Sequence, residues 1–89
     1  MLEYEKDAQI EKDNLTSQSY IYKIVIDKLE KAILKSPNIV DTKEIVYRDN
    51  KEYKIYCRHY YSSLPQYTLA LYFINSQNKI TIIKVEYSS

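Results

Sequence analysis

YTLALYFINSQNKITIIKVEY, residues 67–87, decides the fold. Apolar side chains recur at every second position through Leu69, Leu71 and Phe73, and again through Ile83, Val85 and Tyr87. That period is the mark of a half-buried strand. Between the runs lies Asn75-Ser76-Gln77-Asn78-Lys79, a polar cluster suited to a turn. The separator is short, so the two runs, about 67–74 and 80–87, are expected to pair as an antiparallel hairpin.

Working outward, the same period appears twice more, at about 43–48 and 52–61. Asp49-Asn50-Lys51 and Ser62-Ser63-Leu64-Pro65-Gln66 separate these runs. Four strands with short connections predict an antiparallel meander. Upstream of Pro37 the period is helical. Tyr22, Val25, Ile26, Leu29, Ala32 and Ile33 line one side of residues 17–35, and Lys23, Asp27, Glu30 and Lys31 the other. Tyr4, Ala8 and Leu15 continue that apolar face, with Glu11 a polar exception. Asp13 to Ser19 are residues that favour caps and turns, so a break is expected near 14–18. Residues 1–16 are then a loosely held helical arm. The fold class is α+β: an N-terminal helical region, one or two helices, packed on a four-stranded antiparallel β-meander, all within a single domain 1–89.

Reading the separators as odd-length loops fixes a register. It sets Ile55, Cys57, His59 and Tyr61 beside Phe73, Leu71, Leu69 and Tyr67, and these beside Thr81, Ile83, Val85 and Tyr87. That face is expected to be the core, under Val25, Ile26, Leu29 and Ile33. The other face would carry Val46, Tyr56, Tyr72, Ile74, Ile80 and Ile82 at one end. Arg58, Ala70, Lys84, Tyr60, Thr68 and Glu86 would lie at the other. The first group is too apolar to leave in water, so either the first helix covers it or two chains meet through it, and a homodimer interface is the favoured expectation.

Composition narrows the function classes. The chain has 89 residues, 45% of them hydrophobic, with 13 basic and 12 acidic side chains and a net charge of +1. This balance gives no global attraction to nucleic acid or to an acidic membrane. No apolar run is long enough for a transmembrane helix. A single cysteine, Cys57, allows no internal disulfide, which points to the cytoplasm. There is no glycine at all, which disfavours phosphate-cradling loops and leaves Asn38, Asn50, Asn75 and Asn78 to mark turns. Eight of the eleven tyrosines lie in the strand half, each with an apolar ring and a polar tip suited to a contact surface.

Three constellations could carry chemistry. Cys57 and His59 alternate in phase and make a thiol–imidazole pair, but both fall on the expected core face, where a cysteine acts as a small hydrophobe. Tyr56, Arg58, Tyr60, Tyr72, Lys84 and Glu86 form the expected binding set. Its cations and aromatics suit an acidic partner surface or stacked nucleotides, and its charges equally suit cross-strand pairing. One His and one Cys cannot supply a zinc site, so neither metal nor cofactor is expected.

Two helices ahead of an antiparallel meander, with Arg58, Lys84 and Tyr87 late in the chain, resemble the small ribonuclease toxins of the RelE/ParE superfamily. The resemblance implies an RNA-directed activity resting on those three residues. The chain departs from the family in having no evident first strand, a balanced charge, and an end poor in His and Arg. From the residues themselves, the expected function is a non-enzymatic binding protein, inhibitor- or adaptor-like, from a virus or other mobile element. It would use its tyrosine-rich sheet face on a protein partner or on itself. A small RNA-binding protein or toxin-like nuclease is the alternative.

Overall fold

The computed structural model describes residues 1–89. Its elements are β1 (Leu2–Tyr4), α1 (Lys6–Gln18), α2 (Tyr20–Lys35), β2 (Thr42–Arg48), β3 (Lys51–Ser63), β4 (Gln66–Ser76) and β5 (Lys79–Ser88). The strands form one sheet in the order β1-β5-β4-β3-β2. The chain is therefore α+β, with two helices on one sheet. The sheet has five strands rather than four, and it is mixed. β1 runs parallel to β5, with Leu2 beside Ile80 and Tyr4 beside Ile82, while every other pair is antiparallel.

The N-terminal residues are packed, in contrast to the loose arm expected. Ala8 and Leu15 are buried in the main cluster, with Leu2 and Tyr4 against it. The Tyr4 hydroxyl donates to Glu30 Oε2, which also takes Lys12 Nζ at 3.1 Å. The Lys12 ammonium lies 4.6 Å from the Tyr4 ring centroid, a cation–π contact. Burial and the Glu30 carboxylate push the Tyr4 hydroxyl well above the usual tyrosine range, so it stays a donor. Glu11, the polar exception on α1, has its own task. Its Oε1 accepts from the Val85 backbone N–H at 3.1 Å, on the part of β5 that lies beyond the end of β1. A donor that would otherwise be left over at an open strand edge is thereby satisfied.

The helices break at Ser19, one residue beyond the expected segment. Its backbone is extended, and its side chain accepts from the Ile21 N–H. Thr16 and Ser17 do not break α1, because their hydroxyls bond back to Asp13 O and Asn14 O. α1 lies along β5, and α2 lies against β4 and β3. Between helices and sheet, Ile26, Ile33, Leu69, Leu71, Phe73 and Ile82 are completely buried.

The hairpins overturn the expected register. None has an odd loop. The β2–β3 and β4–β5 turns use only Asp49-Asn50 and Gln77-Asn78, and all four residues have φ between 53° and 63°. Two successive left-handed residues make the tight turn that matches strand twist, here without glycine. The β3–β4 turn is likewise two residues, with Ser63 paired to Gln66. An even loop in place of an odd one slips the register by one, and a slip exchanges faces. So Tyr56, Arg58 and Tyr60 stand beside Phe73, Leu71 and Leu69 on the helix side, while Cys57 and His59 face outward. In β5, Ile80 and Ile82 turn inward. Phe73 pairs with Ile82 but Tyr72 with Lys84, leaving Ile83 unpaired in a bulge. The bulge restores Val85 and Tyr87 to the helix side, as the sequence suggested.

Candidate functional site

The face away from the helices has no element over it. Along β3 it presents Tyr53, Ile55, Cys57 and His59, and along β4 it presents Ala70, Tyr72 and Ile74. From β2 come Glu44, Val46 and Arg48, and from β5 Ile83, Lys84 and Glu86. Cys57 and Ala70 are buried, and Val46, Tyr53, Ile55, Tyr72, Ile74 and Ile83 are half-buried, although no helix covers them. Curvature explains this. The sheet coils far enough that Arg48, at the tip of the β2–β3 hairpin, comes within 4.0 Å of Glu5, which follows the strand at the opposite edge. Residues of four successive strands then line one depression of about 320 Å³: Glu44 on β2, Ile55 on β3, Tyr72 on β4, and Ile83 and Lys84 on β5. Ile55, Tyr72 and Ile83 make its apolar surface. Glu44 and Lys84 put opposite charges on its two sides.

One polar network sits in this face. The Tyr72 hydroxyl donates to Glu86 Oε1 at 3.1 Å, and Lys84 Nζ pairs with Glu86 Oε2 at 3.3 Å. Lys84 also lies 5.8 Å from the Tyr72 ring centroid. The Tyr72 hydroxyl is pushed up to about 12, chiefly by burial, then by the neighbouring Cys57 and Glu86. Cys57 stands beside Tyr72 and Thr42 in the ladder. Burial raises its thiol, and the Tyr72 and Thr42 hydroxyls only partly offset that. At neutral pH the sulfur is therefore a thiol, not the thiolate a nucleophile needs. His59 turns to Asp41 instead, with Nδ1 3.4 Å from Oδ2, while the same carboxylate oxygen accepts from the His59 backbone N–H at 2.8 Å.

The expected binding set is thus divided by the sheet. Tyr72, Lys84 and Glu86 are together on the outer face. Tyr56, Arg58 and Tyr60 are on the helix side. Tyr56 packs on Phe73, with ring centroids 5.6 Å apart, and Arg58 Nη1 donates to Ile39 O at 2.9 Å. Tyr60 joins a rim of tyrosines with Tyr67, Tyr87 and Tyr22, in which the Tyr22 hydroxyl donates to that of Tyr87 at 3.1 Å. The expected interface set divides in the same way. Val46, Tyr72 and Ile74 are outside, while Ile80 and Ile82 are core and Tyr56 packs against it. In their place the outer face holds Tyr53, Ile55, Cys57 and Ile83. The three on β3 were missed because Tyr53 to Tyr61 carries apolar or aromatic residues at both parities, with Lys54 and Arg58 the charged exceptions; Ile83 was missed because its bulge has no sequence signal. The pairing Asp49-Asn50 was the available signal, as a two-residue turn whose even length sets the true register.

No group of three or more His, Cys, Asp or Glu side chains gathers as a metal site, and no helix is long and apolar enough to cross a membrane. No family model, curated protein or solved structure matches this chain. β1 is three residues long and runs parallel to β5, and no match ties it to the first strand of the RelE/ParE toxins that the sequence resembled. Arg58 and Lys84, which that resemblance would employ together, lie on opposite faces of the sheet.

Proposed function

We propose that this domain is a non-enzymatic interaction module, inhibitor- or adaptor-like, whose concave outer face holds an amphipathic segment of a protein partner. One observation carries the reading: a sheet face with an apolar floor and no element of its own chain above it. A solvated face of an antiparallel sheet is ordinarily polar. Here Ile55, Ile74 and Ile83 surround Tyr72 instead. The Tyr72–Glu86–Lys84 network holds the tyrosine ring in place before any partner arrives, so little ordering entropy remains to be lost. Lys84 is compensated by Glu86, whereas Glu44 on the other side has no ion-pair partner, so a segment that sets a basic residue beside an apolar run is favoured.

The RNA-directed alternative draws less support from the geometry. It needs a shared cationic groove, and the Lys84 charge is paired with Glu86 while Arg58 points to the other side of the sheet. A photo-crosslinking amino acid at Ile83, compared with one at exposed Lys28, tests the proposal in cells that express the protein. Discrete protein adducts from position 83 alone are expected. Adducts to RNA, or the same products from both positions, would contradict it.

A further inference from the structure

Beyond the outer face, the molecule has an open edge. β2 is the last strand of the sheet, and its second side pairs with nothing. Such an edge is a template for another strand unless the chain protects it. Its protection is charge alone, from Lys43, Glu44 and Arg48. β2 is seven residues long, without proline or bulge, and its Ile45 and Tyr47 are 50% and 74% exposed.

The order of side chains on this edge says what fits it. The residues are Thr42, Lys43, Glu44, Ile45, Val46, Tyr47 and Arg48, followed by Asp49 in the turn. Glu44, Val46 and Arg48 point to the outer face, and Lys43, Ile45 and Tyr47 to the helix side. A two-residue turn is closed by a hydrogen-bonded pair, here Arg48 and Lys51. The alternation then leaves the backbone groups of Lys43, Ile45 and Tyr47 toward the open edge.

We infer that β2 pairs antiparallel with β2 of a second copy of this chain, about a two-fold axis at Val46. That register sets Val46 against its own copy and Ile45 against Tyr47. It also sets Glu44 opposite Arg48 twice, once on each side of the axis, and brings Lys43 to Asp49. It places the edge-directed groups of Ile45 opposite those of Tyr47, as an antiparallel ladder requires. Centring on Ile45 instead would oppose Glu44 to Val46 and Arg48 to Thr42, with no ion pair. Centring on Tyr47 would oppose Arg48 to Val46. Only the Val46 axis makes the edge complementary to itself in both charge and apolarity, as a two-fold contact demands. The two sheets then become one, and their concave outer faces lie side by side. The inference is independent of what those faces bind.

Charge reversal tests it. Sedimentation of the intact wild-type chain across the micromolar range should show a reversible dimer. Arg48→Glu opposes Glu to Glu44 twice, and Glu44→Arg opposes Arg to Arg48 twice. Each should weaken self-association by about ten-fold or more. An equimolar mixture of the two variants restores opposite charges across the axis and should form heterodimers, as should the double swap its homodimer. Glu5→Gln, which removes only the contact of Arg48 within its own chain, should leave the dimer unchanged. A monomeric wild type would overturn the inference. So would a dimer indifferent to both reversals, or one lost on Ile83→Lys, which would put the contact on the outer face.

Discussion

Both faces of this sheet carry apolar side chains, yet only one is sealed. On the helix side, Leu69, Leu71, Phe73 and Ile82 sit beneath Ile26 and Ile33 with no solvent exposure. On the outer side, Ile55, Ile74 and Ile83 are half-buried with no helix over them. The first arrangement stabilises the fold. The second leaves apolar surface in water, a cost that a partner segment would relieve. Adjacent residues make the contrast sharpest: Ile82 is core, and Ile83, the bulged residue, faces outward half-buried.

Substitutions that shorten a side chain should therefore act very differently on the two faces. Leu71→Ala opens a cavity under both helices and should cost about 2–5 kcal/mol in urea unfolding. Ile55→Ala on the outer face should cost well under half of that, since its surroundings are already open to water. Equal losses would mean that the outer face is a second core.

The edge of β5 sharpens the comparison at the next level down. Glu11→Ala strands the Val85 N–H and should cost about 1–3 kcal/mol, and Glu11→Gln, which keeps an acceptor, should recover most of it. Hydrogen exchange at Val85 should accelerate in the alanine variant alone.

Alkaline pH acts on both faces, because Tyr4, Tyr22 and Tyr67 on the helix side are raised as well as Tyr72, so the outer face is read from the difference that Tyr72→Phe makes. Burial pushes the Tyr72 hydroxyl up to about 12 in the fold, above the ordinary tyrosine value of 10.0. The folded protein thus holds this proton where the unfolded chain releases it. Its contribution is fully present below about pH 10 and is lost as pH rises toward 12. The raised Cys57 thiol adds a loss of the same sign from lower pH. Tyr72→Phe should flatten the upper part of the decline, measured as denaturation midpoint against pH.

Much of the helix side was legible in the sequence. The helical stripe Val25, Ile26, Leu29 and Ile33 and the alternation Leu69, Leu71 and Phe73 each fit one period, and both are buried as expected. β1 was not legible, because three residues cannot show a period and its parallel partner lies at the other end of the chain. The outer face was only half legible. Tyr72, Lys84 and Glu86 lie together on it, but β3 has apolar or aromatic residues at both parities, so its face depends on turn length. Without glycine, the two-residue turn signal of Asp49-Asn50 was weak and that of Gln77-Asn78 was absent. Gln77 carries the clearest trace of this, since a left-handed backbone suits it poorly. Gln77→Gly should stabilise the fold by about 0.5–1 kcal/mol, the smallest effect expected here.

The most direct test of the division between the faces sets Ile82→Lys beside Ile83→Lys in urea unfolding. Ile82→Lys forces a charge into a fully buried site and should abolish cooperative folding. Ile83→Lys, one residue on, should unfold cooperatively with a midpoint close to wild type. If Ile83→Lys collapses as Ile82→Lys does, or if Ile82→Lys is tolerated, the assignment of one face to the fold and the other to a partner is wrong.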